Sequence, residues 1–520
     1  MFSPPFILLP GLLPGLGKRG IANGAPLASA GKAAALLCDS RNMRRVLAGL
    51  IVATISCAAA DLQHAIDVLL EASPVARASV GIHVLDLKSG SALYARNADR
   101  LYLPASNMKL FTGALALERL GPDYRLTTRL VRARSGDLIL VGGGDPSLSG
   151  REYPYRKDAL PASPLRAIED LADQAVAAGV QRVDGDIIGD DQWFPWAPYP
   201  PSWTADDMLG EDGAPVSALT INDNVISLSI HPSAEAGGPA TIAFDPAIEY
   251  YAVDNRVITV AGEKISRIRL SRVPGSRQLL VWGSIPLGGA AVRETVAVDD
   301  PALFAAYALY DALLRRGVAI RGRPAARHRA SFEDPWPVDG DVIATRTSPP
   351  LVEVLQVFEK VSQNLHAELI LREVARVTRG SGTRESGLEE LGAWMAKIGV
   401  KADEWRAEDG SGLSRNDEVS PRAVTRMLSY MAASKNGPAW LSLLPVGGED
   451  GTLSQRLCCA SDGRQVRAKT GSLTRAVTLS GYADSRTRGR LAFSILVNNF
   501  SAPQAEVRAW VDKLAVALLD

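Results

Sequence analysis

A chain of 520 residues is too long for one ordinary core and long enough for two or three domains. Its 47% hydrophobic and 22% charged residues, punctuated by 46 Gly and 32 Pro, exclude a disordered chain and a fibre. With 57 basic and 57 acidic side chains the formal net charge is zero, so the basic excess of a nucleic-acid binder is absent.

Charge is uneven at the start. Residues 1–60 carry six basic side chains (Lys18, Arg19, Lys32, Arg41, Arg44, Arg45) and one acid, Asp39. The remainder holds 51 basic and 56 acidic residues, a net of −5. From Met43 the chain has the order of a secretory signal: Arg44-Arg45, then the apolar Val46 to Ile55, then the small Ala58-Ala59-Ala60. Residues 1–42 do not fit that order, so Met43 is the expected start and the periplasm the expected location. The apolar stretch is too short for a permanent anchor. A lipid on Cys57 is disfavoured, because Thr54 stands where a lipobox wants Leu; any membrane contact is expected to be peripheral. Beyond the leader only Cys458 and Cys459 remain, and adjacent cysteines close a strained ring. The five histidines are scattered. Neither a disulfide framework nor a metal-type spacing is present, so no metal or cofactor is expected.

In chain order, Ser79 to Asp86 reads as a strand, Lys88-Ser89-Gly90 as a turn, and Ala92 to Ala95 as the return strand. After Pro104 the period changes: Leu110, Ala114, Leu117 and Leu120 predict a helix that Gly121-Pro122 stops. Residues 124–340 differ in texture. Short β-type runs (126–131, 138–141, 225–230, 257–260, 278–282) alternate with Gly, Pro and Asp clusters, and helical stretches fall near 164–178 and 301–316. This predicts one or two mostly β inserted domains. From 351 to 377 runs a long amphipathic pattern, followed by helices at 388–398 and 422–432. Strands at 477–483 and 491–498 and a helix at 505–519 close the chain. A two-strand start and a β-β-α finish predict one antiparallel sheet assembled from both chain ends, at 61–123 and 341–520, flanked by helices: an α/β (α+β) fold.

Ser106-Asn107-Met108-Lys109 opens the first helix. The i, i+3 spacing puts Ser106 and Lys109 on one helical face. A serine hydroxyl is a weak nucleophile until a base takes its proton. A lysine can be that base once burial or a second cation lowers its pKa. Alone the pair says little, since Ser29 and Lys32 repeat it in the leader. Ser362-Gln363-Asn364 has the types for a proton relay and a carbonyl grip, but Ser and Asn two apart do not share a helical face. They need a break between helices. Ser414-Arg415-Asn416 competes with it from a turn-rich loop. Lys469-Thr470-Gly471-Ser472 is expected just before a strand. There Lys469 raises the field at the serine, Thr470 grips a carboxylate, Gly471 admits substrate backbone, and the N–H groups of Ser472 and Ser106 form an oxyanion hole. Lys88-Ser89-Gly90 is the decoy for this motif. Three motifs in order are much less common by accident than any one, and the trio is that of β-lactamases and penicillin-binding proteins.

With Pro104 to Lys109, Gly142-Gly143-Gly144-Asp145-Pro146, Asn222-Asp223-Asn224, Ser362-Gln363-Asn364-Leu365, Asp409 to Ser414 and Lys469 to Leu473, the chain resembles the penicillin-binding D-Ala-D-Ala carboxypeptidase/endopeptidases of the penicillin-binding protein 4 type, peptidase family S13. The likeness covers nearly all of residues 61–520, and the long insert between the first two motifs is part of it. It implies a split transpeptidase/β-lactamase-like domain with two inserted domains. It makes Ser106 the nucleophile, Lys109 the general base and Ser362 a proton relay. Asn364 then binds substrate backbone, Lys469 and Thr470 hold the terminal carboxylate while Lys469 tunes Lys109, and Asp145 contacts the amino group of a peptide stem, with a turn-capping Asp after a glycine run as the alternative. His366 stands where members often carry Tyr. The implied partners are peptidoglycan stem peptides and β-lactam antibiotics. A class A β-lactamase is the rival enzyme, but no Glu-x-x-x-Asn follows Ser106 and the insert is too large. A silent wall-fragment or β-lactam sensor is the rival of another class, and it predicts a degraded motif. A Ser-His-Asp hydrolase lacks its glycine-flanked elbow.

Overall fold

The computed structural model describes residues 62–458 and 463–520. The expected signal stretch, Met43, Cys38, Cys57 and Cys459 lie outside the described residues. Cys458 is exposed and its thiol is free.

Both ends of the described chain build one five-stranded antiparallel sheet, ordered Val466–Leu473, Ala476–Ser485, Gly489–Asn498, Ser79–Asp86, Ala92–Arg96. The first of these in sequence lies against the last across its whole length, from Ser79 opposite Asn498 to Asp86 opposite Leu491. The two central strands are buried almost end to end. Helices cover both faces, so Leu491 to Val497 reads as a nearly continuous apolar run rather than an alternation. On one face Trp510, Val511 and Leu514 of helix Gln504–Ala517, and Leu62 and Ile66 of the helix at 62–71, pack on Ile82, Phe493 and Ile495. On the other, Met427, Leu428 and Met431 of helix Pro421–Ala433 meet Ala492 and Leu496, and Phe111 and Leu115 of helix Met108–Arg119 belong to the same cluster. Each fully buried Leu or Phe contributes about 1.5–3 kcal/mol, so the double cover makes this sheet a rigid floor for the site.

The amphipathic run from 351 to 377 is not one helix. It splits into Leu351–Lys360 and Asn364–Arg379. Ser362 sits between them with φ of 65°, a left-handed residue that no continuous helix accommodates. Gln363 caps the second helix, its side-chain oxygen accepting from Leu365 N.

The middle of the chain adds a five-stranded mixed sheet, ordered Pro324–Arg327, Ile187–Asp190, Leu138–Val141, Thr127–Ala133, Gly340–Thr347. Helices Arg166–Ala177 and Pro301–Arg315 pack on it, and two three-stranded sheets from residues 225–297 share their apolar cluster. The end expected at 340 is corrected here. Gly340–Thr347 belongs to this sheet and pairs with Thr127–Ala133, so the entering and leaving strands are neighbours. Leu126 N and Leu351 N then tie the two connections together through Ser348 Oγ and Tyr124 O.

Candidate active site

Ser106 lies on a single 3-10 turn, Ala105–Asn107, that feeds directly into helix Met108–Arg119. Ala105 is left-handed, with φ of 46°, a conformation that costs an L-residue roughly 1–2 kcal/mol. The surroundings hold it there. Thr478 Oγ1 donates to Pro104 O at 2.8 Å, and Asn107 Nδ2 donates to Lys469 O at 3.0 Å. Gly412 packs so closely that a Cβ on it would lie 1.9 Å from Ala105 O. The strain is therefore set by the strand and loop on either side of the nucleophile turn.

Lys109 is fully buried one turn on. Its Nζ donates to Ser106 Oγ at 3.1 Å, to Asn364 Oδ1 at 2.5 Å and to Ser411 O at 2.7 Å. An ammonium has three donors, and all three are used. The amide and carbonyl oxygens can only accept, so they keep two N–H groups. On deprotonation the lone pair is left for Ser106. Burial pushes the amine down to about 8, although Asp409, Glu359, Asp212 and Glu368 pull the other way.

The break at Ser362 turns its hydroxyl and the Asn364 amide toward one cleft. Lys469 Nζ donates to Ser362 Oγ at 2.8 Å and to Thr470 O at 3.0 Å. Burial, and then repulsion from Lys109, push Lys469 below the ordinary lysine range, while Glu359 opposes them. Asn364 Nδ2 donates to Asp212 O at 2.8 Å, which orients the amide so that its oxygen faces Lys109. Ser106, Ser362, Asn364, Thr470, Gly471 and Ser472 line one cavity of about 570 Å³, with Asp207, Asp212, Arg415, Arg456 and Arg508 around it.

Several sequence expectations change. Lys469-Thr470-Gly471-Ser472 lies inside strand Val466–Leu473, not before a strand. Gly471 is required for packing: a Cβ there would lie 2.2 Å from Thr478 Oγ1 and 3.0 Å from Ser106 N. Thr470 Oγ1 already bonds Thr452 Oγ1 at 2.9 Å. Asp145 has the surroundings of the turn-capping alternative. It is fully buried, accepts from Ser147 N at 2.8 Å as a turn cap does, and is not among the residues that line the cavity. The competing Ser414 is buried and bonds Ser202 Oγ at 2.6 Å rather than either lysine. Lys88-Ser89-Gly90 is an exposed hairpin turn.

Other residues carry part of the site without having been singled out for it. Asp409 accepts from Ser411 N, Gly412 N and Ser414 N and from Trp203 Nε1, and so shapes the loop that aims Ser411 O at Lys109. The loop's turn-forming sequence is visible; its purpose is not. His366, fully buried, lies 2.9 Å from Asp223, which also pairs with Arg151 at 2.5 Å.

The family model for the D-Ala-D-Ala carboxypeptidase 3 (S13) family matches residues 62–518. The chain is 34% identical to a D-alanyl-D-alanine carboxypeptidase of Actinomadura sp. over 478 residues, 88% of this chain and 85% of that one. It is 25% identical to the penicillin-sensitive carboxypeptidase A of Dictyostelium discoideum over 461 residues, 82% of this chain and 83% of that one. The crystal structure of penicillin-binding protein 4 from Haemophilus influenzae has a similar fold, with a TM-score of 0.74 at 22% identity, covering 87% of this chain and 98% of that one. A match of that length, with Lys109 bonded to Ser106 and Lys469 to Ser362 and both serines lining one cavity, makes the chain a member of the D-Ala-D-Ala carboxypeptidase 3 (S13) family.

Proposed function

We propose that the protein is a serine-type D-alanyl-D-alanine carboxypeptidase and DD-endopeptidase that acts on peptidoglycan stem peptides through an acyl-enzyme on Ser106, and that β-lactams acylate the same oxygen. The carrying observation is the set of partners around Lys109 Nζ: two oxygens that only accept, and the Ser106 hydroxyl. Neutral Lys109 takes the Ser106 proton as Oγ attacks the carbonyl carbon before the terminal D-Ala. The oxyanion is held by the N–H groups of Ser106 and Ser472. The C–N bond breaks, and the proton taken by Lys109 passes through the Ser362 hydroxyl to the leaving amine. Water then donates a proton to Lys109 as its oxygen attacks the acyl carbon, and Ser106 Oγ leaves with that proton restored. Lys469 and Thr470 bind the terminal carboxylate, and Asn364 holds the substrate backbone. Glycine at 471 lets the strand lie against the nucleophile turn, where a Cβ would sit 3.0 Å from Ser106 N. A second copy of the same chemistry accounts for β-lactams, whose strained amide takes the place of the peptide bond.

The exported location rests on the leader's signal-like order, since stem peptides lie outside the cytoplasm. Among the described residues no helix is long and apolar enough to cross a membrane. Mass spectrometry of the intact protein after penicillin tests the proposal. The expected result is one equivalent of adduct on the peptide that contains Ser106, with no adduct and no D-Ala release from Ser106→Ala. Trimming of D-Ala-D-Ala peptides by Ser106→Ala would sink it.

A further inference from the structure

Helix Leu351–Lys360 ends two residues before Ser362, and its last turn carries Glu359. This side chain is fully buried, and neither carboxylate oxygen has a hydrogen-bond partner. A carboxylate left so bare in an apolar interior is costly unless cations answer it. Two do. Burial pushes its carboxyl up to about 7, and Lys469 and then Lys109 are the charges that oppose burial. Lys360, next in sequence, turns away to Asp450 at 2.6 Å. The other acids acting on Lys109 are Asp409, Asp212 and Glu368; Asp409 is occupied by three backbone N–H groups and Trp203 Nε1, and Glu368 accepts from Gly410 N.

A second observation fixes where the carboxylate points. Gly113 lies in the interior of helix Met108–Arg119, four residues after Lys109 and so on the same face. Glycine there costs the helix roughly 1 kcal/mol relative to alanine. A Cβ on Gly113 would lie 2.7 Å from Glu359 Oε1 and 3.1 Å from Phe358 Cε1. The missing side chain makes room for Glu359 beside the helix that carries the base.

We propose that Glu359 is a positioning residue that sets the charge state of the Lys109–Lys469 pair. The inference rests on the reading of that pair as acylation machinery. Acylation asks for opposite states from two buried amines: Lys109 must give up its proton, and Lys469 must keep its own. With Glu359 ionised, neutral Lys109 and charged Lys469 make a cluster of zero net charge. Without that carboxylate the same working state leaves one positive charge uncompensated in a closed interior, and both ammonium forms are destabilised.

The test follows the second-order rate constant for benzylpenicillin acylation against pH, in the full chain and in E359Q, E359D and E359L. Removing the negative charge lowers the pKa of both lysines. The limbs of the profile, set by these two amines, should both move to lower pH by about one unit in E359Q. E359D keeps the charge and should keep the wild-type limbs at reduced amplitude. E359L fills the space without a polar group to bury, so it serves if E359Q does not fold, and the same displaced limbs are required of it. Neutral-variant limbs that superimpose on the wild type, whatever the amplitude, would show Glu359 to be an uncharged packing residue and overturn the inference. A wild-type protein that takes up no penicillin would instead overturn the acyl-enzyme reading.

Discussion

Gly412 offers a sharp test of how the nucleophile turn is held. Its φ is +81°, and a Cβ on it would lie 1.9 Å from Ala105 O and 2.5 Å from Ala105 C. Two costs follow in Gly412→Ala. An L-residue in the left-handed region pays roughly 1–2 kcal/mol. The second cost is steric. A carbon and a carbonyl oxygen rest about 3.3 Å apart, so the two backbones must separate by about 1.4 Å. No rotamer relieves a backbone clash, and the atom displaced belongs to the residue before Ser106. A misplacement of about 1 Å near reacting atoms costs on the order of 10²-fold in rate. Gly380→Ala is the control. Gly380 is also left-handed, at +74°, but nothing lies within 4 Å of its added Cβ, so it pays strain without clash and far from the site. The assay is the rate of penicillin acylation together with the melting temperature. Gly412→Ala should acylate about 100-fold more slowly, whereas Gly380→Ala should melt lower and acylate at the wild-type rate. Equal acylation by the two variants would refute the claim that loop 409–414 shapes the turn.

Two further outcomes are expected. Lys109 at about 8 is roughly one-tenth neutral at pH 7, against a few parts in ten thousand for an ordinary lysine. Acylation of wild-type protein should therefore climb with pH on its acidic side before the basic limb turns it down; a flat profile from pH 6 to pH 8 would count against Lys109 as base. Asp223 is buried, which alone would raise its pKa, but Arg151 and His366 outweigh burial and hold its carboxyl far below the usual range. A depressed carboxyl contributes stability above its unfolded pKa of about 4, and loses it as pH falls below that value. Asp223→Asn should lose about 3 kcal/mol in urea unfolding at pH 7, with the gap to wild type closing toward pH 2. A constant gap would mean that charge is not what Asp223 supplies.

What the sequence discloses and what it conceals divide along one physical line. Proton transfer needs particular side chains, so Ser106, Lys109, Ser362, Asn364 and Lys469 stand out by type and spacing. Backbone groups carry no such mark. Ser411 O and Asp212 O hold Lys109 and Asn364 in place, yet every residue has a carbonyl. The glycines mislead for a related reason. Gly471 suits a strand that lies beside substrate, but its missing Cβ faces Thr478 and Ser106, a direction fixed only once the strand is packed. Asp145, after three glycines, reads as a stem-peptide contact or a turn cap. Those glycines instead mark backbone crossings, with a Cβ on Gly143 falling 2.1 Å from Thr127 O, and the crossing buries the Asp. The interruption at Ser362 was visible only as a requirement, because apolar spacing runs through it unbroken. Strand Ala252–Val260 begins earlier than its apolar run suggests, since Asp254, Asn255 and Arg256 are exposed strand residues.

The insert therefore builds the site rather than decorating it. Asn364 has two ends with opposite hydrogen-bonding character, and the wrong one toward Lys109 would present N–H groups to an ammonium. The choice is made by Asp212 O, a carbonyl from the inserted segment, which accepts from Nδ2 and leaves Oδ1 for the base. Trp203, from the same segment, donates to the carboxylate of Asp409 that shapes the Ser411 loop. Asp223 braces His366, two residues after Asn364 on the same helix, and Ser202 bonds Ser414. Two of the three partners of Lys109 Nζ thus depend on residues between 202 and 223. A version of this chain reduced to the two-ended sheet and its helices would keep Ser106, Lys109 and Lys469 in sequence and lose the arrangement that gives the lysine a free lone pair.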